Sequence, residues 1–280
     1  MTIWTVEGHR LFADGRPVPF RASPNIGGEI RQRFLVLHFT AGGEAGAIET
    51  LTAPGGVSAH LVLGEAGNPT QLVDFGRAAW HAGRSRWADV TGSLNPVSIG
   101  IEIANLGDAV TGSPGAYRAY GRPVPDDRVV VARHVNGGPV RPWHSYPEAQ
   151  IEAVIAIGRA LHAAYRFEDV VGHDQIAPDR KVDPGPAFPF MRVRAAILGA
   201  AGGPVDVPSI PASDLPDHSV MQMQRALNRL GFGPLDVDGS AGPKTLAALR
   251  AFQASHGLAP DGRAGPKTWA AIDAAMTARG

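Results

Sequence analysis

Between Gly199 and Asp217 the chain reads Gly-Ala-Ala-Gly-Gly-Pro-Val-Asp-Val-Pro-Ser-Ile-Pro-Ala-Ser-Asp-Leu-Pro-Asp. A stretch so rich in Gly, Pro and Ser has little to bury and favours a semi-extended linker. It argues against one continuous core through all 280 residues. The expected organisation is a domain of ordinary length over 1–198, with its core from about residue 30, a linker over 199–217, and a small domain over 218–280.

In the larger part, apolar, β-branched runs between turn residues read as strands: Phe34–His38, Val57–Leu63, Thr70–Phe75 and Val97–Ala104. Pro147–Tyr165 reads as a helix. Ile151, Val154, Ile155, Gly158, Leu161 and His162 recur there at helical spacing, and Pro147 suits a first helical position. A further helix is expected over Pro189–Leu198. This mixture predicts an α/β (α+β) domain with a central mixed β-sheet flanked by helices. Between Gly107 and His144 the pattern weakens into a Gly/Pro-rich stretch, a length of loop that is either a functional lid or a surface insertion.

The smaller part contains an internal repeat. Asp238-Gly239-Ser240-Ala241-Gly242-Pro243-Lys244-Thr245 returns as Asp261-Gly262-Arg263-Ala264-Gly265-Pro266-Lys267-Thr268, displaced by 23 residues. Asp-Gly makes a tight turn, and Gly-Pro opens a helix with proline in its first position. The helices that follow carry Leu246, Leu249 and Phe252, then Trp269 and Ile272. With a helix over Ser219–Leu230 they predict a small C-terminal three-helix domain.

Composition removes several classes of function. Net charge is zero, from 26 basic and 26 acidic residues, and no basic stretch is dense enough for nucleic acid or anionic lipid. The segment Met1–Ile30 carries Glu7, Arg10, Asp14, Arg16 and Arg21 and lacks the apolar run of a signal peptide. No span approaches the roughly 20 apolar residues of a transmembrane helix, so membrane insertion is not expected. The chain has no cysteine, hence no disulfides and no thiolate ligands. Oligomeric state is left open.

Three distant stretches end in the residue types of a catalytic zinc site. They are Phe34-Leu35-Val36-Leu37-His38, Ser98-Ile99-Gly100-Ile101-Glu102, and Gly172-His173 through Lys181-Val182-Asp183. His38, His173 and Asp183 supply two imidazoles and one carboxylate, which leaves zinc's fourth position open, as a hydrolase needs. Glu102 and Lys181 remain as a base and a cation. Lys181 and Asp183 stand two apart, so in extended backbone both side chains face one way. Taken singly, each histidine fits an ordinary half-buried or surface position. Taken with Glu102, the set points to chemistry.

The chain resembles the type 2 N-acetylmuramoyl-L-alanine amidases, a family that includes bacteriophage lysozyme-like amidases, anhydro-muropeptide amidases and the peptidoglycan recognition proteins. The matching pieces are Leu37-His38-Phe39-Thr40, Val57-Ser58-Ala59-His60, Ala79-Trp80-His81-Ala82-Gly83, Ser98–Glu102, and Gly172-His173 through Lys181-Val182-Asp183-Pro184-Gly185. The resemblance implies one zinc ion per chain, held by His38, His173 and Asp183. It also implies Glu102 as general base and Lys181 as stabiliser of the oxyanion. Trp80 and His81 resemble a segment beside the family's cleft, where they are expected to contact substrate. His60 is a further candidate for such a contact, although its alternation with apolar neighbours fits a satisfied core histidine equally well. Surface or helix-face roles are expected for His9, His134, His144, His162, His218 and His256.

The repeat region resembles the peptidoglycan-binding type 1 domain over about Pro216–Ala278, on its Asp-Gly-x-x-Gly-Pro-x-Thr pattern and Ala251-Phe252-Gln253. Peptidoglycan or muropeptides are the partner implied. A tether of this kind favours polymeric wall and a lysin-type hydrolase. The alternatives are a cytoplasmic enzyme that recycles anhydro-muropeptides, or a receptor that keeps the fold without catalysis. The expected location is the cytoplasm at synthesis, and the wall or periplasm if another route releases the protein.

Overall fold

The computed structural model describes residues 2–199, 220–235, 243–262 and 264–277. The chain divides into two compact units, the larger made of Met1–Val130 and His134–Ala201 and the smaller mainly of Gly202–Gly280. Apart from Gly199, the expected linker lies outside the described residues.

Five strands build the central sheet of the larger unit: β1 (Phe34–Phe39), β2 (Leu61–Leu63), β3 (Pro69–Gln71), β4 (Ser98–Ile103) and β5 (Asp169–Gly172). Their order is β5-β1-β4-β2-β3. The first four run parallel, and β3 pairs antiparallel with β2, so the sheet is mixed.

Helix α1 (Glu44–Thr52) follows β1, and alternation along the strands sorts side chains between the two faces. Leu35, Leu37, Ile99, Ile101 and Ile103 enter a core shared with α2 (Glu148–Tyr165) and α4 (Phe190–Leu198), through Ile151, Val154, Leu161, Val193 and Ile197. The two helices touch where α2 has no side chain, since a Cβ on Gly158 would collide with Ile197. A three-stranded meander (Trp4–Glu7, Arg10–Ala13, Arg16–Pro17) adds Leu11 to this core. Phe34 and Val36 face the opposite side, in a cluster with Ala82, Leu94 and Val171. The pairing of β1 with β4 matches Ser98 to Phe34, Gly100 to Val36 and Glu102 to His38. Ser98, His38 and Glu102 therefore share this second face.

Several expected boundaries move. Helix α2 starts one residue later, because Pro147 has the extended ψ of 143° and stands outside as the cap. The strand expected over Val57–Leu63 shrinks to β2. At its start the His60 ring intrudes on the ladder: its Nδ1 takes the Gly100 N–H at 3.0 Å. The run Thr70–Phe75 yields only β3, since Leu72 and Val73 N–H both converge on His60 O, which ends the regular ladder, and Phe75 N–H finds His9 O at 3.1 Å. The weakly patterned Gly107–His144 stretch contains regular pieces, including a 3₁₀ turn at Gly107–Ala109 and an antiparallel pair, Arg118–Ala119 with Arg122–Pro123.

In the smaller unit α5 (Val220–Arg229), α6 (Pro243–Ser255) and α7 (Pro266–Thr277) bury Met223, Leu227, Leu249, Phe252, Trp269 and Ile272 together. Proline opens both repeat helices, as their sequence requires. One link recurs with the repeat: Gln224 Nε2 donates to Thr245 Oγ1 at 3.1 Å, and Gln253 Nε2 to Thr268 Oγ1 at 3.1 Å. The first copy's Asp238–Gly242 lies outside the described residues. Among the described residues no helix is long and apolar enough to cross a membrane.

Candidate active site

The carboxyl ends of three neighbouring parallel strands converge on one point. His38 is the second-last residue of β1, Glu102 the second-last of β4, and His173 follows β5 at the start of α3 (His173–Ile176). Gly172 pairs with Leu37 and Glu102 with His38, which puts His173, His38 and Glu102 at one level across the sheet. Asp183 arrives from the loop after α3, where its carbonyl accepts the Asp174 N–H at 2.7 Å.

His38, His173 and Asp183 form a buried group able to hold a metal ion. His38 Nδ1 lies 2.9 Å from His173 Nδ1 and 3.0 Å from Asp183 Oδ2, and His173 Nδ1 lies 2.9 Å from the same oxygen. Burial first, then the neighbouring His173, push the His38 imidazole down to about 4, so it is neutral and keeps a lone pair. Burial also works against the charge on Asp183. The ring nitrogens of His173 and His38 outweigh that effect and hold its carboxyl below the usual range. Three such atoms within about 3 Å of one another repel unless a proton or a cation lies between them. A cation among them removes the conflict, and two imidazoles with a carboxylate are a donor set suited to zinc.

Each imidazole has its far nitrogen occupied by the Trp80–Gly83 segment. His38 Nε2 contacts His81 Nδ1 at 3.0 Å, and His173 Nε2 contacts Ala82 O at 3.3 Å. Arg180 NH2 braces the same carbonyl at 2.5 Å.

Glu102 is partly exposed and opens onto a cavity of about 350 Å³ lined by Phe39, Thr40, Ala41, Gly43 and Val57, among others. Burial raises its pKa well above the usual carboxylate value. Asp183 raises it further, and Lys181 acts in the opposite direction. Lys181 likewise lowers the pKa of His38, so its charge is felt by both.

The expected substrate contacts fare differently. Trp80 is 42% exposed and presents its ring to solvent. His81 and His60 are buried, with both ring nitrogens engaged: His81 by His38 and Ser98, His60 by Gly100 N–H and Arg77 O. The ring nitrogens of both are thus engaged within the protein, and for His60 this is the satisfied core position that its apolar neighbours allow. The surface roles expected for His134 and His144 fail. His134 is buried, lies with its ring tilted against Trp143 and contacts Asp174 Oδ2 at 3.1 Å, while His144 is buried and meets Arg128 at 3.2 Å.

Residues 28–186, more than half of the chain, match the N-acetylmuramoyl-L-alanine amidase family. The chain belongs to that family. As an amidase-family chain it is 33% identical to N-acetylmuramoyl-L-alanine amidase AmiD of Escherichia coli over 203 residues, 69% of this chain and 60% of that protein. It is 32% identical to 1,6-anhydro-N-acetylmuramyl-L-alanine amidase AmpD of Salmonella typhimurium over 143 residues, 50% of this chain and 57% of that protein. The chain thus spans less than two thirds of the length of these curated relatives. The solved complex of E. coli AmiD with anhydro-N-acetylmuramic acid-L-Ala-D-gamma-Glu-L-Lys aligns at TM-score 0.49 and 26% identity, over 98% of this chain and 97% of that one. Residues 217–272 match a family of peptidoglycan binding domains.

Two parts of this amidase-family site escape a reading of the sequence alone. Tyr146 lies close enough for Asp183, Asp174 and Glu102 to act on its phenol after burial has raised its pKa, and its hydroxyl donates to Pro184 O at 2.8 Å. Ser98 opens the Ser98–Glu102 segment, yet only the fold shows its hydroxyl against His81. Period-2 alternation with Glu102 along one strand is the signal that could have found it.

Proposed function

We propose that this chain hydrolyses the amide bond between N-acetylmuramic acid and L-alanine, with one zinc ion held by His38, His173 and Asp183. The carrying observation is the convergence of these three side chains beside Glu102, which shares a register level with His38. Zinc bound there supplies Lewis acidity, polarising a carbonyl and making water acidic near neutral pH.

The protein's own groups do the rest. Glu102 takes a proton from the attacking water and delivers it to the departing amine, an effect of roughly 10²–10⁴ in rate. The oxygen of that water becomes part of the new carboxyl group as the carbon–nitrogen bond breaks. The Lys181 ammonium faces the negative charge that grows on the carbonyl oxygen. The exposed indole of Trp80 offers an aromatic face on which sugar or peptide packs.

The C-terminal match to peptidoglycan binding domains supports a lysin-type enzyme tethered to polymeric wall, because a tether raises the local concentration of the catalytic unit. The similarity to AmpD supports a second substrate, the soluble anhydro-muropeptide. One experiment separates these readings: mass spectrometry of purified peptidoglycan and of soluble anhydro-muropeptides, each treated with wild type and Glu102→Ala, alongside metal analysis. Stem peptides beginning with L-alanine, released only by wild type carrying about one zinc per chain, support the amidase. The substrate that yields them selects between wall and muropeptide. Intact linkages in both substrates despite bound zinc would sink it.

A further inference from the structure

We propose that His81 and Ser98 are positioning residues that fix which nitrogen of His38 carries the proton and thereby present the Nδ1 lone pair to the metal. The inference rests on the zinc reading above and concerns two residues on the Nε2 side of His38.

The argument begins at a main-chain carbonyl. The Ser98 hydroxyl lies 2.7 Å from Leu94 O and 3.2 Å from His81 Nε2. A carbonyl oxygen only accepts, so the hydroxyl hydrogen sits on the Leu94 contact. Toward His81 the Ser98 oxygen can then act only as acceptor, and His81 Nε2 carries the proton. Buried and neutral, His81 keeps a lone pair on Nδ1. Its 3.0 Å contact with His38 Nε2 therefore needs the proton on His38. Neutral His38 is left with its lone pair on Nδ1, the atom that faces His173 and Asp183. Each assignment follows from the one before, and the first donor–acceptor role cannot reverse.

The fold builds this relay on purpose-made ground. Ser98 and Gly100 alternate along β4 on the face that carries Glu102. A Cβ at Gly100 would stand 2.5 Å from the His81 ring, so only glycine lets the ring lie against the strand between Ser98 and His38. Without the Ser98 acceptor His81 can present Nδ1–H instead, and His38 then turns a proton toward the metal.

The test uses the full chain and measures zinc affinity by competition with a chromophoric chelator. His81→Phe is expected to weaken zinc about 10–100-fold, the range for loss of a partner behind a ligating histidine. Ser98→Ala weakens it in the same direction. His81→Asn, whose amide oxygen replaces Nδ1 as acceptor, stays close to wild type. Two-bond proton–nitrogen NMR on zinc-loaded wild type is expected to show His81 protonated at Nε2 alone. Wild-type affinity in His81→Phe, or a proton on His81 Nδ1, overturns the inference while leaving the enzyme assignment standing. A wild-type chain that takes up no zinc overturns the functional reading itself.

Discussion

His38 and Glu102 are direct partners in the parallel pairing of β1 and β4. Partners of this kind point to one face of the sheet from strands about 4.8 Å apart. The imidazole proposed to hold the metal and the group proposed as base are therefore spaced by backbone hydrogen bonds, which no single rotamer can undo.

Replacing that base tests its role most simply. Glu102→Gln keeps the shape and removes the proton acceptor. Stem-peptide release, followed by chromatography, is expected to fall roughly 10²–10⁴-fold with zinc content unchanged. Near-wild-type turnover would remove Glu102 from the mechanism.

Lys181→Met should act twice. Loss of the ammonium reduces turnover by about 10²-fold or more, the scale for one oxyanion-stabilising group. It also removes the charge that lowers the Glu102 pKa. A carboxyl that was raised by burial then rises further, so the base is lost at a higher pH. The acidic limb of kcat/KM against pH is expected to move upward, and an unmoved limb would mean that Lys181 does not act on Glu102.

Gly100→Ala places a methyl group against the His81 ring. Overpacking of this kind costs about 1–3 kcal/mol. Chemical denaturation should register that loss, and zinc titration should show weaker binding. A variant as stable as wild type would show that the ring can retreat freely.

His60 gives a pH signature of its own. Burial holds its imidazole down at about 4, against 6.5 when unfolded. As pH falls from 6.5 toward 4, the unfolded chain binds a proton that the native chain refuses, so stability present above 6.5 is lost on acidification. The loss from this ring is on the order of 3 kcal/mol. His60→Gln has no such proton to bind, and its unfolding free energy should decline less steeply over that range. Equal slopes would mean that the ring titrates normally.

What the sequence disclosed, and what it withheld, divides along physical lines. His38 and Glu102 end apolar, β-branched runs, so their strands could be read directly, whereas the face they share comes only from the pairing of β1 with β4. Helix α2 announced itself through the spacing of Ile151, Val154, Ile155 and Leu161. The partnership of His134 with Asp174 joins residues 40 apart through a tertiary crossing that leaves no periodic trace. His81 looked like a cleft residue because its neighbours matched one. Only its packing on Gly100 reveals that the ring faces inward.

The row of strand ends also separates what can vary from what cannot. Behind His38, Glu102 and His173 every strand is locked into the sheet, whereas the chain ahead of Glu102 runs out into the Gly107–His144 excursion, which returns at Tyr120 to bond Ala41 O on the cavity wall. The same excursion also reaches the other end of the row, where His134 and Asn136 hold Asp174, the neighbour of His173. An engineer who exchanged it would have to keep those two anchors for the strand ends to stay in place.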